Sequence, residues 1–483
     1  MPSAPPYGPD LESLREHPVP SWYEDAKLGI FIHWTLASIP AFAPRDYEIN
    51  ELIRKRYDDF MLLSPYAEWY ENALRFPDSP SARFHRQRYG DRPYTAFQFD
   101  WEAALAQWDA AAWAERFRRA GARYVVLVAK HHDGYCLWPS EVANPRRPGW
   151  RSKRDVVGEL AAAVRGAGLR FGVYYSGGID WSFNPKPVRT LVDLMASVPR
   201  GPYPDYAEAQ VRELVRRVEP EVLWNDIAWP TPQARLNQLF ADYYAAVPDG
   251  LVNDRWLCDG WRLRSLRIQP LRALADALVK RAVRAGRALT TPPAPPHYDV
   301  RTPEYAVFDA IRTRKWECVR GMDKSFGYNR QSREADFIGE AELVHGFVDI
   351  VSKNGNLLLN VGPRGEDAAI PELQIQRLDA LGRWLDQNGE AIYGTRPWRR
   401  AAGATSEGLG VRFTARGDDV FAIVLDTPNQ RQLTLCDVRA RPGAVVRRLG
   451  GDRLAWNQMG PDLRVELDAP LPSAPAHAFC IPQ

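Results

Sequence analysis

Up to about residue 395 the chain alternates between short apolar runs and longer stretches with helical periodicity. Seven runs of strand length are apolar on both faces, which is typical of parallel strands covered on each side. They span residues 28–34, 124–130, 170–175, 222–226, 251–255, 316–319 and 356–361. Between them, helices are predicted over residues 109–121, 155–168, 206–218, 341–351 and 372–388, with Asp109 and Asp155 as candidate N-caps.

Strands that alternate with helices and end in polar residues predict a (β/α)8 barrel with its site at the carboxyl ends of the strands. Only seven strands are clear, so the eighth is irregular or hidden. A doubly wound sheet is the weaker alternative because no glycine-rich phosphate turn follows the first strand. From Pro397 onward the runs are short and alternate in polarity, which predicts an antiparallel β-sandwich. We therefore predict a catalytic barrel over residues 1–395 and a sandwich domain over residues 396–483.

Composition narrows the class of protein. Lys and Arg number 63 against 60 Asp and Glu, and no charged tail is present, so neither nucleic acid nor an anionic membrane is an expected partner. The five cysteines have no CxxC spacing, which argues against a disulfide framework or structural zinc. Residues 1–10 do not resemble a signal peptide, and no apolar run reaches membrane-spanning length, so a cytoplasmic protein is predicted.

Polar and aromatic side chains gather where the predicted strands end. Asp226 ends an apolar strand and is the candidate for the chemistry, although Asn225-Asp226 alone could simply start a turn. Carboxylates and neutral histidines recognise ring hydroxyls, while aromatic side chains cover the apolar face of a sugar. A carbohydrate pocket is therefore the economical interpretation. The other candidates at these ends and on an early loop are His33, Trp34, Glu68, Trp69, His131, His132, Tyr174, Asp254 and Arg255.

Each candidate also has a structural explanation. Trp34 and Trp69 could belong to the core, and Arg255 could merely neutralise Asp254. A metal at residues 131–133 is disfavoured, because adjacent strand residues point in opposite directions and Lys130 is next to them. We predict neither a metal nor a cofactor.

Eight motifs, in this order along the chain, resemble those of the α-L-fucosidases of glycoside hydrolase family 29. They are KLGIFIHW (27–34), AEWY (67–70), KHHDG (130–134), VYYS (173–176), LWND (223–226), VNDRW (252–256), SFGY (325–328) and KNGNL (353–357). The resemblance implies a retaining exo-glycosidase that releases terminal α-L-fucosyl residues through a covalent fucosyl-aspartate intermediate. A catalytically inactive sugar-binding relative, or a glycosidase for a related sugar such as galactoside, stays open as an alternative.

The resemblance also implies roles for individual residues. Asp226 would be the nucleophile and Glu304, in TPEY (302–305), the acid/base, with Glu317 as the fallback acid. Arg255 near Asp226 would favour the ionised nucleophile, while partial desolvation would keep Glu304 protonated. The fucose would be bound by His33, Trp34, Glu68, Trp69, His131, His132 and Phe326, with Tyr174 and Arg255 beside the nucleophile.

Two features depart from the family pattern. Thr35 stands where the family usually has glycine, and the stretch between Arg255 and Glu304 is longer than usual. Within this basic insertion, residues 260–290, a helix is predicted over 271–285. One interpretation is a helix packed on the barrel with a solvated basic face; the other is a lid or subunit contact. A homo-oligomer is therefore possible, and the preferred linkage is not predicted.

Overall fold

The computed structural model describes residues 6–286 and 294–483. Seven parallel strands form one curled sheet in the order β5-β4-β3-β2-β1-β7-β6. The strands are β1 (Leu28–Ile32), β2 (Tyr124–Lys130), β3 (Arg170–Ser176), β4 (Val222–Asp226), β5 (Leu251–Val252), β6 (Trp316–Arg320) and β7 (Gly355–Val361). The first and last strands in the spatial order, β5 and β6, are joined by a different kind of segment.

Residues 300–304 occupy the gap between β5 and β6. Isolated parallel bridges pair Val300 with Asn253 on one side, and Arg301 and Glu304 with Trp316 and Val319 on the other. No regular strand forms here, since Pro303 lacks a backbone N–H. The eighth position is thus an irregular segment, and the predicted barrel with one irregular strand is confirmed.

Fifteen α-helices surround the barrel or follow its strands in the described part of the chain. Asp109 and Asp155 cap two of them as predicted, accepting hydrogen bonds from Ala112 N and Gly158 N at 2.9 Å. No helix among the described residues is long and apolar enough to cross a bilayer. The helices are α1 (Leu11–Arg15), α2 (Ser21–Ala26), α3 (Ile49–Lys55), α4 (Tyr70–Ala73), α5 (Pro80–Tyr89), α6 (Phe97–Ala104), α7 (Ala110–Arg119), α8 (Val156–Gly166), α9 (Leu191–Ala196), α10 (Tyr203–Val218), α11 (Gln233–Ala246), α12 (Trp261–Ser265), α13 (Gln269–Arg284), α14 (Glu340–Ser352) and α15 (Glu372–Asn388).

Two predicted strands are shorter than expected. β1 ends at Ile32, so His33 lies just beyond it, and β5 ends at Val252. Beyond β5 the Asn253 side chain takes over the pairing with β4: its Oδ1 accepts from Asn225 N at 2.9 Å and its Nδ2 donates to Asn225 O at 2.8 Å. A side-chain amide thus replaces the next step of the backbone ladder.

The barrel interior is a packed aromatic and aliphatic core. Phe31, Tyr174 and Trp224 lie in one layer with ring centroids 5.3–5.7 Å apart. His33 follows on the next layer, its ring 4.6 Å from Phe31 and 5.8 Å from Tyr174. This aromatic layer is therefore the floor of any cavity at the carboxyl end of the barrel.

The last part of the chain is antiparallel. A five-stranded sheet has the order β12-β15-β10-β9-β8 and a three-stranded sheet the order β11-β14-β13. Phe413, Leu433, Val465 and Phe479 from both sheets share one core, so the predicted β-sandwich is confirmed. The boundary drawn at residue 395 stays a prediction. The strands are β8 (Arg396–Ala404), β9 (Gly410–Arg416), β10 (Asp419–Leu425), β11 (Gln432–Leu435), β12 (Arg447–Arg448), β13 (Ala455–Met459), β14 (Asp462–Glu466) and β15 (Ala476–Pro482).

The inserted helix α13 turns its leucines toward solvent. Its Leu271, Leu274 and Leu278 are 44%, 59% and 59% exposed. Two polar contacts hold it to its neighbours: Asp276 Oδ1 accepts from Tyr57 Oη at 2.9 Å, and Arg272 lies 3.4 Å from Asp193 of α9. The leucines therefore face solvent rather than the rest of the protein, whereas Val283 is buried and Arg281 and Arg284 are exposed, so the solvated basic face holds only for part of the helix. Residues 287–290 of the insertion, like residues 1–5 of the N-terminal stretch, lie outside the described residues.

Candidate active site

Asp226, the last residue of β4, is held by three donors. Tyr174 Oη donates to its Oδ2 at 2.7 Å, while Arg255 Nη1 and Ile227 N donate to its Oδ1 at 3.0 and 2.8 Å. A carboxylate that accepts this many hydrogen bonds is fixed in one rotamer. The arrangement leaves Asp226 as an oriented carboxyl group at the barrel mouth, 9% exposed.

The backbone turns sharply directly after Asp226. Ile227 has a φ of 72°, in the left-handed region that β-branched residues rarely adopt. Such a conformation costs about 1–3 kcal/mol and persists only where the surroundings enforce it. Ile227 packs against two hydrophobic clusters, one that contains Trp69 and Trp181 and one that contains Val198 and Leu263. The turn directs the Ile227 N–H at the preceding carboxylate.

Glu304 reaches the same place from the irregular segment. Its Oε1 lies 2.6 Å from Arg255 Nη1, the nitrogen that is also 3.0 Å from Asp226 Oδ1. These two carboxylate oxygens are therefore no more than about 5.6 Å apart, the sum of the two contacts. Retaining glycosidases separate their two carboxyl groups by roughly 5–5.5 Å and inverting ones by roughly 6.5–9.5 Å. The limit on this oxygen pair fits the retaining geometry.

Arg255 is the link between the two carboxylates. Its Nε faces Thr302 Oγ1 at 3.3 Å and its Nη2 donates to Thr302 O at 3.0 Å. Burial opposes the charge, but the carboxylates of Glu304, Asp226 and Asp254 together raise the pKa of Arg255. Arg255 lies beside Asp226 as expected, and the same guanidinium nitrogen also contacts Glu304.

Two histidines present a ring nitrogen as a hydrogen-bond acceptor. His33 Nδ1 lies 2.6 Å from Asn360 Oδ1, and the Asn360 amide nitrogen donates to Phe326 O, so we assign the proton to His33 Nδ1. His132 Nδ1 lies 2.6 Å from Ser176 Oγ, whose hydroxyl donates to Ile179 O, and the same assignment follows. Burial lowers the pKa of each ring to about 4.

His131 completes this group. Its pKa is lowered well below the ordinary value by burial and by His132, His33 and Lys130. Its ring lies 5.7 Å from His33 and 4.1 Å from His132, so residues 131 and 132 both face the site. The prediction that they point in opposite directions is wrong, because β2 ends at Lys130 after a register shift against β3. Among the described residues, no group of side chains is arranged to hold a metal ion.

Glu68 and the 325–327 turn form the far wall. Glu68 Oε2 accepts from Gly327 N at 2.8 Å and from Ser325 Oγ at 3.2 Å, while burial raises the pKa of Glu68 to about 7. A Cβ at Gly327 would lie 3.0 Å from Glu68 N, so glycine permits the close approach. The Phe326 ring lies 5.2 Å from His33, and Trp69 meets His132 edge-on at 4.6 Å. These predicted residues therefore share one pocket.

Trp34 does not join this pocket. It is 0% exposed and packs against Trp101 and Trp113 among the helices, with ring centroids 4.8 and 5.2 Å away. Its Nε1 donates to Arg364 O at 3.1 Å. His33 thus faces the barrel interior while Trp34, the next residue, faces the surrounding helices. The prediction that Trp34 binds substrate is wrong.

Glu317 lies far from the chemistry. It is the second residue of β6 and accepts hydrogen bonds from Tyr23 Oη at 2.7 Å and from Tyr124 Oη, at the amino end of the strands. Burial raises its pKa. Because Asp226 lies at the opposite end of the barrel, Glu317 cannot act as the acid there.

Sequence reasoning missed several supporting residues. Thr302, Ser176 and Asn360 each orient a predicted residue by hydrogen bonds. Asn360 could have been found, since it is a polar residue inside the apolar run of β7. Thr35, the departure from the family pattern, has a φ of −118°, so this backbone does not need glycine.

Comparison with known proteins gives one family. The family model described as Alpha-L-fucosidase matches residues 1–390. An α-L-fucosidase of Branchiostoma floridae is 32% identical over 92% of this chain and 88% of its own length. Human tissue α-L-fucosidase is 30% identical over 89% of this chain and 80% of its own length.

Solved structures agree with the sequence matches. The Thermotoga maritima α-fucosidase in complex with a mechanism-based inhibitor superposes with a TM-score of 0.81 and 39% identity, covering 99% of this chain and 100% of that one. The same enzyme in complex with fucose superposes with a TM-score of 0.80 and 38% identity, covering 98% and 100%. The resemblance of the eight motifs is confirmed, and the chain belongs to the α-L-fucosidase family of glycoside hydrolases.

Proposed function

We propose that this protein hydrolyses terminal α-L-fucosyl residues with retention of configuration, using Asp226 as nucleophile and Glu304 as acid/base. The observation that carries the proposal is the shared contact with Arg255 Nη1, which keeps an oxygen of each carboxylate within about 5.6 Å of the other. That spacing leaves room for an anomeric carbon but not for an additional water molecule.

The reaction has two displacements. Asp226 attacks the anomeric carbon while the carboxylic acid of Glu304 gives its proton to the departing glycosidic oxygen, and a fucosyl ester of Asp226 forms. Glu304, now a carboxylate, removes a proton from water as that water attacks the anomeric carbon and releases Asp226. The side chain of Glu304 is 30% exposed against 12% for Asp226, which fits a group that must meet the leaving group and water.

Sugar binding follows from the walls of the pocket. Neutral His33 and His132 offer Nε2 acceptors to hydroxyl groups, and His131 and Glu68 complete the polar side. Trp69 and Phe326 supply the apolar side, where the methyl group of a 6-deoxy sugar loses contact with water. A galactoside would place a hydroxyl against this surface without a partner, which disfavours that alternative.

The stereochemistry of the product tests the proposal. NMR during hydrolysis of 4-nitrophenyl α-L-fucoside is expected to detect α-L-fucose first, followed by slow mutarotation. Initial release of β-L-fucose would contradict the double displacement. Binding of fucose without any turnover would instead indicate a sugar-binding protein.

We also propose that the protein forms a homo-oligomer through α13. Ile268, Leu271, Leu274 and Leu278 are each at least 44% exposed and repeat at helical spacing along one face. Such contiguous apolar surface is uncommon on monomers, and a self-complementary helix face suits a two-fold interface.

Sedimentation equilibrium tests the oligomer. The unchanged protein is expected to sediment as an oligomer and Leu274→Glu with Leu278→Glu as a monomer. Met459→Glu, at a residue 47% exposed on β13, is the matched control and should not change the mass. A monomeric unchanged protein would contradict the proposal.

Cytoplasmic localisation likewise stays a proposal. All five cysteines are free, which suits a reducing compartment. Cell fractionation with activity measured in each fraction would test it, and activity confined to the periplasm or medium would contradict it.

A further inference from the structure

Asp254 ties down the irregular segment that carries Glu304. The residue is 0% exposed, and its Oδ1 accepts from Thr302 N at 3.1 Å and from Thr302 Oγ1 at 2.6 Å. Its Oδ2 lies 3.2 Å from Arg301 Nε. One buried carboxylate thus contacts two consecutive residues just ahead of Glu304. Backbone hydrogen bonds hold this segment to β6 at Arg301 O and Pro303 O, so Asp254 supplies the attachment on the opposite side.

Thr302 connects this anchor to Arg255. The Thr302 hydroxyl gives its single proton to Asp254, so its oxygen is free to accept from Arg255 Nε at 3.3 Å. The Thr302 carbonyl accepts from Arg255 Nη2 at 3.0 Å. With two of the guanidinium nitrogens held in this way, the third is aimed at Asp226 and Glu304.

We propose that Asp254 and Thr302 are positioning residues for the acid/base step. They set Glu304 and Arg255 in one fixed relation, so that Glu304 meets the glycosidic oxygen. This inference rests on the proposed function.

The two carboxylates depend on this anchor unequally. Asp226 is the last residue of β4 and pairs with Ser176 of β3. If Arg255 moves, Asp226 still accepts hydrogen bonds from Tyr174 Oη and Ile227 N. Glu304 has Arg255 as its ion-pair partner and lies on the segment that Asp254 anchors. Loss of the anchor therefore impairs proton transfer more than nucleophilic attack. A displacement of about 1 Å is enough to cost on the order of 10²-fold in rate.

Two variants of one residue test the proposal. Thr302→Val keeps the shape but removes the hydroxyl, whereas Thr302→Ser keeps the hydroxyl. Each is assayed on 4-nitrophenyl α-L-fucoside, whose leaving group departs with little help from an acid, and on a fucosylated lactose, whose leaving group needs the proton.

Thr302→Val is expected to lower kcat/KM on the lactose derivative by about 10²-fold and on the aryl fucoside by about tenfold or less. Thr302→Ser should retain most of the activity on both. Equal losses on the two substrates, or a loss in Thr302→Ser as large as in Thr302→Val, would overturn the inference.

A second variant serves if Thr302→Val does not fold. Asp254→Asn keeps an acceptor for Thr302 but turns an amide toward Arg301, so the same substrate selectivity is expected with a smaller loss, and a uniform loss would overturn the inference. Asp226→Gly distinguishes a failure of the proposed function from a failure of the positioning role. If that variant keeps its turnover, the proposed function fails; if it is inactive and Thr302→Val is unselective, only the positioning role fails.

Discussion

The two carboxylates of the proposed reaction stand on backbone of different kinds. Asp226 ends a strand whose pairing with β3 is continuous from Val222 to Asp226. Glu304 lies on residues 300–304, which meet β5 and β6 only through isolated bridges. A continuous ladder with β3 places the nucleophile. The backbone on either side of Glu304 is hydrogen-bonded to Val319 of β6, at Pro303 O and Tyr305 N, but on the side of β5 the segment relies on the side chains of Asp254 and Arg255. The nucleophile side is therefore expected to tolerate loss of neighbours that the acid/base side does not.

The largest effect is expected for removal of the nucleophile. Asp226→Gly should lower kcat on the order of 10⁴-fold, because no covalent ester can form. The strand is held by backbone pairing, so the melting temperature should change little. Azide, which fits the vacated space, should restore turnover and yield the β-fucosyl azide.

Asp226→Asn is the isosteric control and should be equally inactive. Turnover within about tenfold of the unchanged protein in either variant would contradict the assignment. Asp226 and Glu304 would then not be the nucleophile and acid/base of one reaction.

The difference between the two regions also explains what the sequence could reveal. Asp226, Tyr174 and the histidines follow apolar runs, so barrel topology alone brings them together. Glu304 is on a segment without strand periodicity, and only the family resemblance pointed to it. The hydrogen bond between Asp254 and Thr302 joins two segments that the insertion separates in the sequence. The spacing of residues along the chain does not predict such a contact.

The orientation of helix α13 could not be predicted from the sequence. The periodicity of the sequence placed the three leucines on one face of the helix, but it did not show which face packs against the rest of the protein. The buried residue of the helix is Val283, and Arg272 and Lys280 contact Asp193 and Asp58, while the three leucines face solvent. Trp34 was predicted in the pocket together with its neighbour His33, but its ring packs against Trp101 among the helices, so being next to a site residue in the sequence did not place it in the site.

An intermediate effect is expected for the acid/base. Glu304→Ala should lower kcat/KM on a fucosylated oligosaccharide by about 10²–10⁴-fold and on an activated aryl fucoside much less, because only the former needs a proton on its leaving group. Steady-state kinetics on both substrates measures the difference. Glu304→Gln, which keeps the shape without the proton, is the matched variant. Equal losses on both substrates would remove the distinction between the two carboxylates.

The smallest effect is expected for the protonation of His33, which lies just beyond the end of β1. His33 is held neutral by burial, with a pKa of about 4 against an ordinary value of about 6.5. Between pH 6.5 and 4, His33 is therefore mostly protonated in the unfolded chain and mostly neutral in the folded chain. This group contributes stability that is present above about pH 6.5 and is lost as the pH falls toward 4.

Glu68 acts in the opposite direction, because its raised pKa makes the folded chain bind a proton as the pH falls below about 7. The contribution of His33 must therefore be isolated by difference. Between pH 7 and pH 5 the free energy of unfolding of the unchanged protein, relative to His33→Gln, should fall by about 2 kcal/mol. Urea unfolding of both proteins at the two pH values measures it. A relative free energy that does not change would mean that the folded protein leaves His33 accessible to water and able to take up the proton, so that burial does not keep this ring a neutral hydrogen-bond acceptor for the sugar.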